Sequence, residues 1–181
     1  MVNRKEEEKQ ELVSLVKLMR RNLELAEQLC VTLAEELDFV KTYIDLERRS
    51  LGATFHPIIE IAGDVLPESV WLPSMMIQIP VENSVKHALR GKEGKRNLWI
   101  AADRREGGVC IRITDNGGGY HPESRNRGTG TGMKVIMQTI QILNMKNQAA
   151  IDISVHNVTL PSGETGCEVT FLLPDKYDYR I

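Results

Sequence analysis

The stretch TDNGGGYHPESRNRGTGTGMK, residues 114–134, holds six of the chain's 14 glycines. Three of them follow an Asp-Asn pair, and the other three alternate with threonines directly before an apolar helical pattern. Glycine lets a backbone approach a ligand closely, and the free amides at a helix N-terminus suit an anion such as phosphate. Two candidate ligand sites therefore lie within one short segment.

Asp115 ends the strand-like segment VCIRITD and is followed by Asn116 and by Gly117–Gly119. A carboxylate at this place can accept a hydrogen bond from a planar ligand that lies against bare backbone. A glycine-rich turn capped by the aspartate explains the same residues equally well.

The second glycine cluster, RGTGTGMK, places Gly128, Gly130 and Gly132 before a helix. Its GxGxG spacing differs from the GxGxxG of dinucleotide folds, and no GK[ST] follows, so neither a dinucleotide fold nor a P-loop is predicted. The regular spacing and the abrupt helix favour an anion site over a flexible linker.

A third cluster lies in the segment ENSVKH. Asn83, Lys86 and His87 have the spacing i, i+3, i+4, which would project all three from one helix face. An amide oxygen can ligate Mg²⁺, while a lysine and a histidine can hold phosphate oxygens. Taken alone, the cluster fits a solvated helix face better than a site.

Composition limits the classes of protein that the chain can represent. The 181 residues are 41% hydrophobic and 27% charged, with net charge −2 and a pI near 6.1. The chain therefore lacks the excess of basic residues that would predict nucleic-acid binding. The longest uncharged run, 69–81, is too short to span a bilayer. Three cysteines far apart predict reduced thiols in a cytosolic environment.

The order of segments predicts an α+β fold, a two-layer sandwich with helices on one face of a mixed sheet. Residues 1–50 are expected to form a helical arm, with one amphipathic helix over 5–28 and a second that begins at the capping box of Thr32 and Glu35. Residues 51–181 are expected to form the main domain. Its expected strands are TFHPIIEIA, NLWIAADRR, GVCIRITD, AAIDISVHNV and CEVTFLLP, and its expected helices are LPSMMIQIPVENSVKHAL and GMKVIMQTIQILNM.

Together the three clusters resemble the ATP-binding domain of sensor histidine kinases, within the larger group of gyrase-type and Hsp90-type ATPases. The similarity is greatest to LytS-like or YesM-like kinases. Their LQPLVENAIKHG resembles IQIPVENSVKHA at 77–88, their DNGxG resembles residues 115–119, and their GxGIGLxN resembles residues 128–135. The resemblance covers residues 13–174 and implies a Bergerat-type ATP-binding fold.

The resemblance implies ATP and Mg²⁺ as the ligands, with Asn83 coordinating the metal and Lys86 and His87 contacting the phosphates. Relatives that hydrolyse ATP carry a water-activating carboxylate four residues before this asparagine, where the present chain has Ile79. Glu82 could serve as a base, although it points elsewhere on a helix. This difference favours a kinase over a hydrolase.

For the base and the lid, the resemblance implies that Asp115 accepts a hydrogen bond from the adenine N6 amine. Gly117 and Gly119 would let the ring lie close, and residues 120–131 would form a mobile lid. The remaining expected ATP contacts come from the end of the lid and the start of the next helix: Gly128, Thr129, Gly130, Thr131, Gly132 and Met133.

The implied function is transfer of the ATP γ-phosphate to a histidine on an upstream phosphoacceptor helix. No histidine precedes His56, so we expect a fragment, the cytoplasmic portion of an inner-membrane sensor that forms a homodimer and acts on a response regulator. Two alternatives stay open. One is a gyrase-type or Hsp90-type ATPase, and the other is a degenerate nucleotide-binding and dimerisation module, which Val135 and Thr139 favour because relatives carry Asn and Arg at these positions.

Overall fold

The computed structural model describes residues 28–121 and 131–180, together with residues 13 and 16. A 3₁₀ turn follows the first described helix, and a π-helix continues the second. In chain order the elements are β1 (Cys30–Thr32), α1 (Leu33–Leu51), the 3₁₀ turn (Gly52–Thr54), β2 (Phe55–Ile61), β3 (Trp71–Pro73), α2 (Gln78–Asn83), the π-helix (Ser84–Leu89), β4 (Arg96–Arg105), β5 (Gly108–Asp115), α3 (Thr131–Asn144), β6 (Asp152–Thr159) and β7 (Thr165–Pro174).

Five strands form a mixed sheet in the order β2-β4-β5-β7-β6. Strands β2 and β4 run parallel, and every other neighbouring pair in this sheet is antiparallel. Alternate residues of β4, such as Leu98 and Ile100, are buried, whereas Trp99 between them is half-exposed. This period of two gives the sheet one core face. The predicted α+β fold class is confirmed.

Helix α1 begins where the sequence predicts. The Thr32 hydroxyl accepts a hydrogen bond from the amide of Glu35, and the Glu35 carboxylate accepts one from the amide of Thr32. The apolar face of α1 shares one hydrophobic core with the sheet and with α3. The buried residues of α1 belong to the same hydrophobic core as the sheet, and the predicted domain division at residue 50 stays a prediction.

The helix predicted from the segment LPSMMIQIPVENSVKHAL begins later than expected. Residues 71–73 form β3, which pairs with β1 in a small antiparallel sheet, so Pro73 lies in a strand and not in a first helical turn. Met75 then adopts a positive φ of 68° before α2 begins at Gln78. The helix predicted over residues 5–28 lies outside the described residues, apart from residues 13, 16 and 28.

Within the described ranges, no helix has both the length and the apolar character needed to cross a bilayer.

Candidate functional site

The third sequence cluster lies on one continuous helical segment, residues 78–89, which we call the site helix. It is α-helical to Asn83 and then a π-helix, in which the amide of Arg90 donates to the carbonyl of Val85 at 2.9 Å. Such widened turns occur frequently at functional sites. The α-helical spacing expected from Asn83 to Lys86 and His87 is therefore changed, because the π-helix contains more residues in each turn.

Asn83 is half-buried at the end of the α-helical part. Among the described residues none forms a hydrogen bond with its side chain, so the amide oxygen is available to a ligand. The Glu82 carboxylate is held on both sides. Its Oε1 accepts from Gln78 Nε2 at 2.8 Å, and its Oε2 pairs with Lys86 Nζ at 2.7 Å. His87 is exposed and faces a cleft.

Asp115 lies at the end of β5 and is only 2% exposed. Its Oδ2 accepts from the Ser84 hydroxyl at 2.8 Å, and its Oδ1 accepts from the amide of Gly117 at 2.8 Å. Burial raises the pKa of Asp115, while these two bonds and one from the amide of Cys167 act in the opposite direction. The carboxylate thus joins the site helix to the sheet. Sequence reasoning missed Ser84, since a lone serine beside an asparagine carries no signal.

The glycines after Asp115 lie against the site helix. A Cβ at Gly117 would lie 2.3 Å from the Cβ of Ala88, so only glycine allows this approach. A cleft of about 590 Å³ opens beside this contact. The residues that line it come from the end of the site helix, from the glycine turn and from the β6–β7 turn: His87, Ala88, Gly91, Lys92, Asn116, Gly117, Gly118, Glu164 and Thr165. Asp115 itself is buried and is not among the residues that line the cleft.

An ion pair that the sequence did not predict lines the cleft. Lys92 Nζ lies 2.9 Å from Glu164 Oε1, and Asn116 Nδ2 donates to Glu164 Oε2 at 3.1 Å. With a further bond from Ser162, these contacts lower the pKa of Glu164 to about 2, the Lys92 hydrogen bond being the largest cause. No spacing rule connects residues 92, 116 and 164, because only the strand order brings them together.

The start of the predicted lid is fixed by β6. Asn157 Oδ1 accepts from the amide of Tyr120 at 2.6 Å, and Asn157 Nδ2 donates to the carbonyl of Tyr120 at 3.2 Å. Gly119 has a φ of +89°, and a Cβ there would lie 2.8 Å from Asn157 Oδ1. Of the predicted lid contacts, Gly128, Thr129 and Gly130 lie outside the described residues.

Helix α3 begins at Thr131, whose side chain is not described, and packs on the site helix at Gly132. A Cβ at Gly132 would lie 2.9 Å from Cγ2 of Ile79, the position where hydrolysing relatives are expected to carry a carboxylate. Met133 packs partly buried against the core. The site helix, the glycine turn and the start of α3 therefore meet, while their predicted contacts with ATP stay predictions.

The two residues of α3 that differ from the relatives' Asn and Arg, Val135 and Thr139, lie on the outer side of the helix. Val135 is 49% exposed, and the Thr139 hydroxyl donates to the carbonyl of Val135 at 3.0 Å. The described residues contain no group of three or more His, Cys, Asp or Glu side chains that could hold a metal. The predicted metal ligand is an amide, Asn83, and stays a prediction.

Two solved histidine kinase domains illustrate the similarity in fold. The histidine kinase domain of the Erythrobacter litoralis EL346 blue-light activated kinase superposes with a TM-score of 0.57 at 13% identity, covering 91% of this chain and 74% of that one. The catalytic domain of histidine kinase ThkA gives a TM-score of 0.53 at 15% identity, covering 83% of this chain and 97% of that one. These matches show the fold.

The family model described as Histidine kinase-, DNA gyrase B-, and HSP90-like ATPase matches residues 73–177, and a model described as Histidine kinase matches residues 1–55. The chain therefore belongs to the family of histidine kinase-, DNA gyrase B- and HSP90-like ATPases. The predicted resemblance to LytS-like sensor kinases is confirmed.

Two relatives illustrate the similarity. Sensor protein LytS of Bacillus subtilis (strain 168) is 29% identical over 175 residues, covering 90% of this chain and 28% of that protein. Sensor protein LytS of Bacillus anthracis is 27% identical over 176 residues, covering 91% of this chain and 28% of that protein. The chain thus spans about 28% of the length of these relatives.

Proposed function

We propose that this chain binds Mg·ATP in the cleft beside Gly117 and presents the γ-phosphate to a histidine on another segment of a longer sensor kinase. The observation that supports this most is the meeting of three motifs distant in sequence. Ser84 hydrogen-bonds Asp115 at 2.8 Å, Gly117 packs on Ala88, and the start of α3 packs on Ile79.

The residues of the chain divide the binding task between the two ends of the nucleotide. Asp115 and the glycine turn hold the base, while His87, Lys86 and the amides at the start of α3 hold the phosphates. The open amide oxygen of Asn83 suits Mg²⁺, which when bound offsets phosphate charge and needs few protein ligands beside phosphate oxygens. Preorganised binding of this kind positions the nucleotide for transfer.

The arrangement around Ile79 favours transfer over hydrolysis. Ile79 packs against Gly132 and has no group that accepts a proton. Glu82 is the nearest carboxylate along the helix, but it already accepts hydrogen bonds from Gln78 and Lys86. A kinase of this type needs no water-activating base, since its nucleophile is a histidine. We propose that the partners of this chain are an upstream acceptor helix and a response regulator, and that the longer protein forms a homodimer. We place the chain on the cytoplasmic side of a membrane.

Isothermal titration calorimetry with ATP, with Mg²⁺ or with EDTA, tests the binding proposal. We expect one site whose affinity for ATP increases with Mg²⁺. The variant Asn97→Ala, near the start of β4, serves as a control. It should bind ATP as the wild type does, because Asn97 bonds the neighbouring Asn116 only through its backbone. Absence of heat and of any thermal shift at millimolar ATP would remove the proposal.

The isolated chain should not phosphorylate itself. His56 and His156 are exposed on the edge strands β2 and β6, His121 bonds the carbonyl of Gly118 at 3.1 Å, and His87 lines the cleft. Incubation with γ-labelled ATP and Mg²⁺ should give acid-labile, base-stable label only after a fragment carrying the upstream acceptor is added. Label on the isolated chain would show that one of these four histidines is an acceptor.

A further inference from the structure

Glu36, in the first turn of α1, is a carboxylate with 0% exposure. It accepts hydrogen bonds from three backbone amides of the segment that leads into the site helix. Its Oε1 bonds the amide of Met75, and its Oε2 bonds the amides of Ile77 and Gln78, each at 3.1 Å. Burial of a charged group is costly unless it is bonded in this way, so the arrangement requires an explanation.

The site helix lacks a cap of its own. Ile77 stands at its N-cap position and has no side chain that can accept from the first free amides. Glu36 occupies those amides from a different helix, where a negative charge is also favoured by the helix dipole. The cap of the site helix is therefore supplied by α1.

A second contact joins α1 to the other end of the site helix. Glu47 Oε2 lies 2.6 Å from Arg90 Nη2, and the Glu47 side chain is only 13% exposed. Along α1, Glu36 and Glu47 are separated by about 16 Å at 1.5 Å per residue. Helix α1 thus holds the site helix both before its first turn and just after its last.

A chain of hydrogen bonds leads from Glu36 into the candidate phosphate site. The backbone of Gln78 donates to Glu36, and the side chain of Gln78 donates to Glu82 Oε1 at 2.8 Å. Lys86 Nζ holds the other oxygen of Glu82 at 2.7 Å. Asn83, the candidate metal ligand, directly follows Glu82 in this bonded run.

We propose that Glu36 is a positioning residue that sets the place of Asn83 and Glu82 from α1, and so couples the metal and phosphate end of the site to that helix. The inference rests on the proposed Mg·ATP function. Helix α1 belongs to the segment that matches the Histidine kinase model, residues 1–55, and the site helix to the segment that matches the ATPase model. The contact therefore connects the two matched segments.

The test compares Glu36→Gln with Glu35→Ala in the whole chain. Glu36→Gln replaces an acceptor by a donor that faces backbone amides, whereas Glu35 caps only its own helix. Calorimetry gives the dissociation constants of ATP with Mg²⁺ and with EDTA, whose ratio is the magnesium increment, and that of adenosine. Thermal unfolding gives Tm.

We expect Glu36→Gln to reduce the magnesium increment about tenfold, which is in the usual range for coupling between sites. The affinity for adenosine should stay within about twofold of wild type, because Asp115, the residue proposed to bind the base, belongs to β5. Glu35→Ala should lower Tm and leave both binding readouts unchanged. Should Glu36→Gln fail to fold, Gln78→Met, which removes the hydrogen bond to Glu82 and keeps the backbone bond to Glu36, should show the same selective loss.

An unchanged magnesium increment in Glu36→Gln, or in Gln78→Met where the first variant is unfolded, would overturn the positioning role. Parallel losses of both increment and adenosine affinity in Glu36→Gln and Glu35→Ala would also overturn it, since a general loss of stability would then explain the effect. A wild-type chain that binds no ATP would instead refute the proposed function itself.

Discussion

Replacement of Asp115 by asparagine separates the contribution of this side chain to binding from its contribution to folding. The asparagine keeps one acceptor oxygen for the amide of Gly117, which Asp115 Oδ1 now serves at 2.8 Å. Its amide group can donate to the Ser84 hydroxyl, which can accept as well as donate. The variant should therefore fold, with a Tm within about 4 °C of wild type, which for a chain of this length corresponds to about 1 kcal/mol.

Binding should change much more than folding. The purine N6 amine donates to Asp115 in the proposed site, and in the variant a donor replaces an acceptor and the charge is lost. A hydrogen bond to a charged group contributes about 1.5–3 kcal/mol, so the dissociation constant of ATP should rise about 10- to 150-fold. Calorimetry at pH 7 gives the dissociation constant. Asp103→Asn serves as the control, because it makes the same substitution at an aspartate of β4 that pairs with Arg105 and Arg112.

The pH dependence provides an independent check. Burial raises the pKa of Asp115 above its ordinary 3.8, so the folded state binds this proton more readily than the unfolded state does. The contribution of Asp115 to stability is therefore complete below pH 3.8 and is lost as pH rises through the raised pKa. The Tm of the variant relative to wild type should increase over that interval. An unchanged dissociation constant for ATP would refute the role assigned to Asp115.

Three further outcomes are expected. Gly117→Ala should lower the free energy of unfolding by about 1–3 kcal/mol in urea denaturation, because its Cβ would lie 2.3 Å from that of Ala88. The Glu164 carboxyl should titrate near pH 2 by NMR, and Lys92→Met should move this pKa toward the ordinary 4.5. Because the pKa is lowered in the folded state, the bonds of Glu164 add to stability above pH 4.5, and this contribution is lost as pH falls toward 2. Burial raises the pKa of Cys167 to about 11, so alkylation at pH 8 should be far slower than that of a free thiol. Equal rates would contradict that value.

The parts of the fold that the sequence predicts are those with a local signal. Alternation of apolar residues marks β4, and the Thr32 and Glu35 pair marks the start of α1, so both elements form where expected. The β1–β3 pair carries no such signal. Its three-residue strands form through hydrogen bonds between residues 30–32 and 71–73, and an edge position tolerates Pro73.

The candidate site divides in the same way. Motif spacing identifies Asn83 and Asp115, whereas Ser84 and Glu164 become visible only when the chain has folded. The π-helix after Asn83 also has no signature in the spacing of the motif. Residues joined by tertiary contacts across 30 or more positions are beyond the reach of local patterns.

The glycines of the motifs have a structural role that the ligand alone does not explain. Gly117 meets Ala88 and Gly132 meets Ile79, so each removes a Cβ that would push the site helix away from a neighbouring element. The same helix is held at its N-terminus by Glu36. Because α1, the sheet and α3 all contact this helix, a change in any one of them alters the placement of Asn83. Loss of ATP binding after a glycine substitution is therefore no proof that the glycine contacts ATP, and a stability measurement must accompany it.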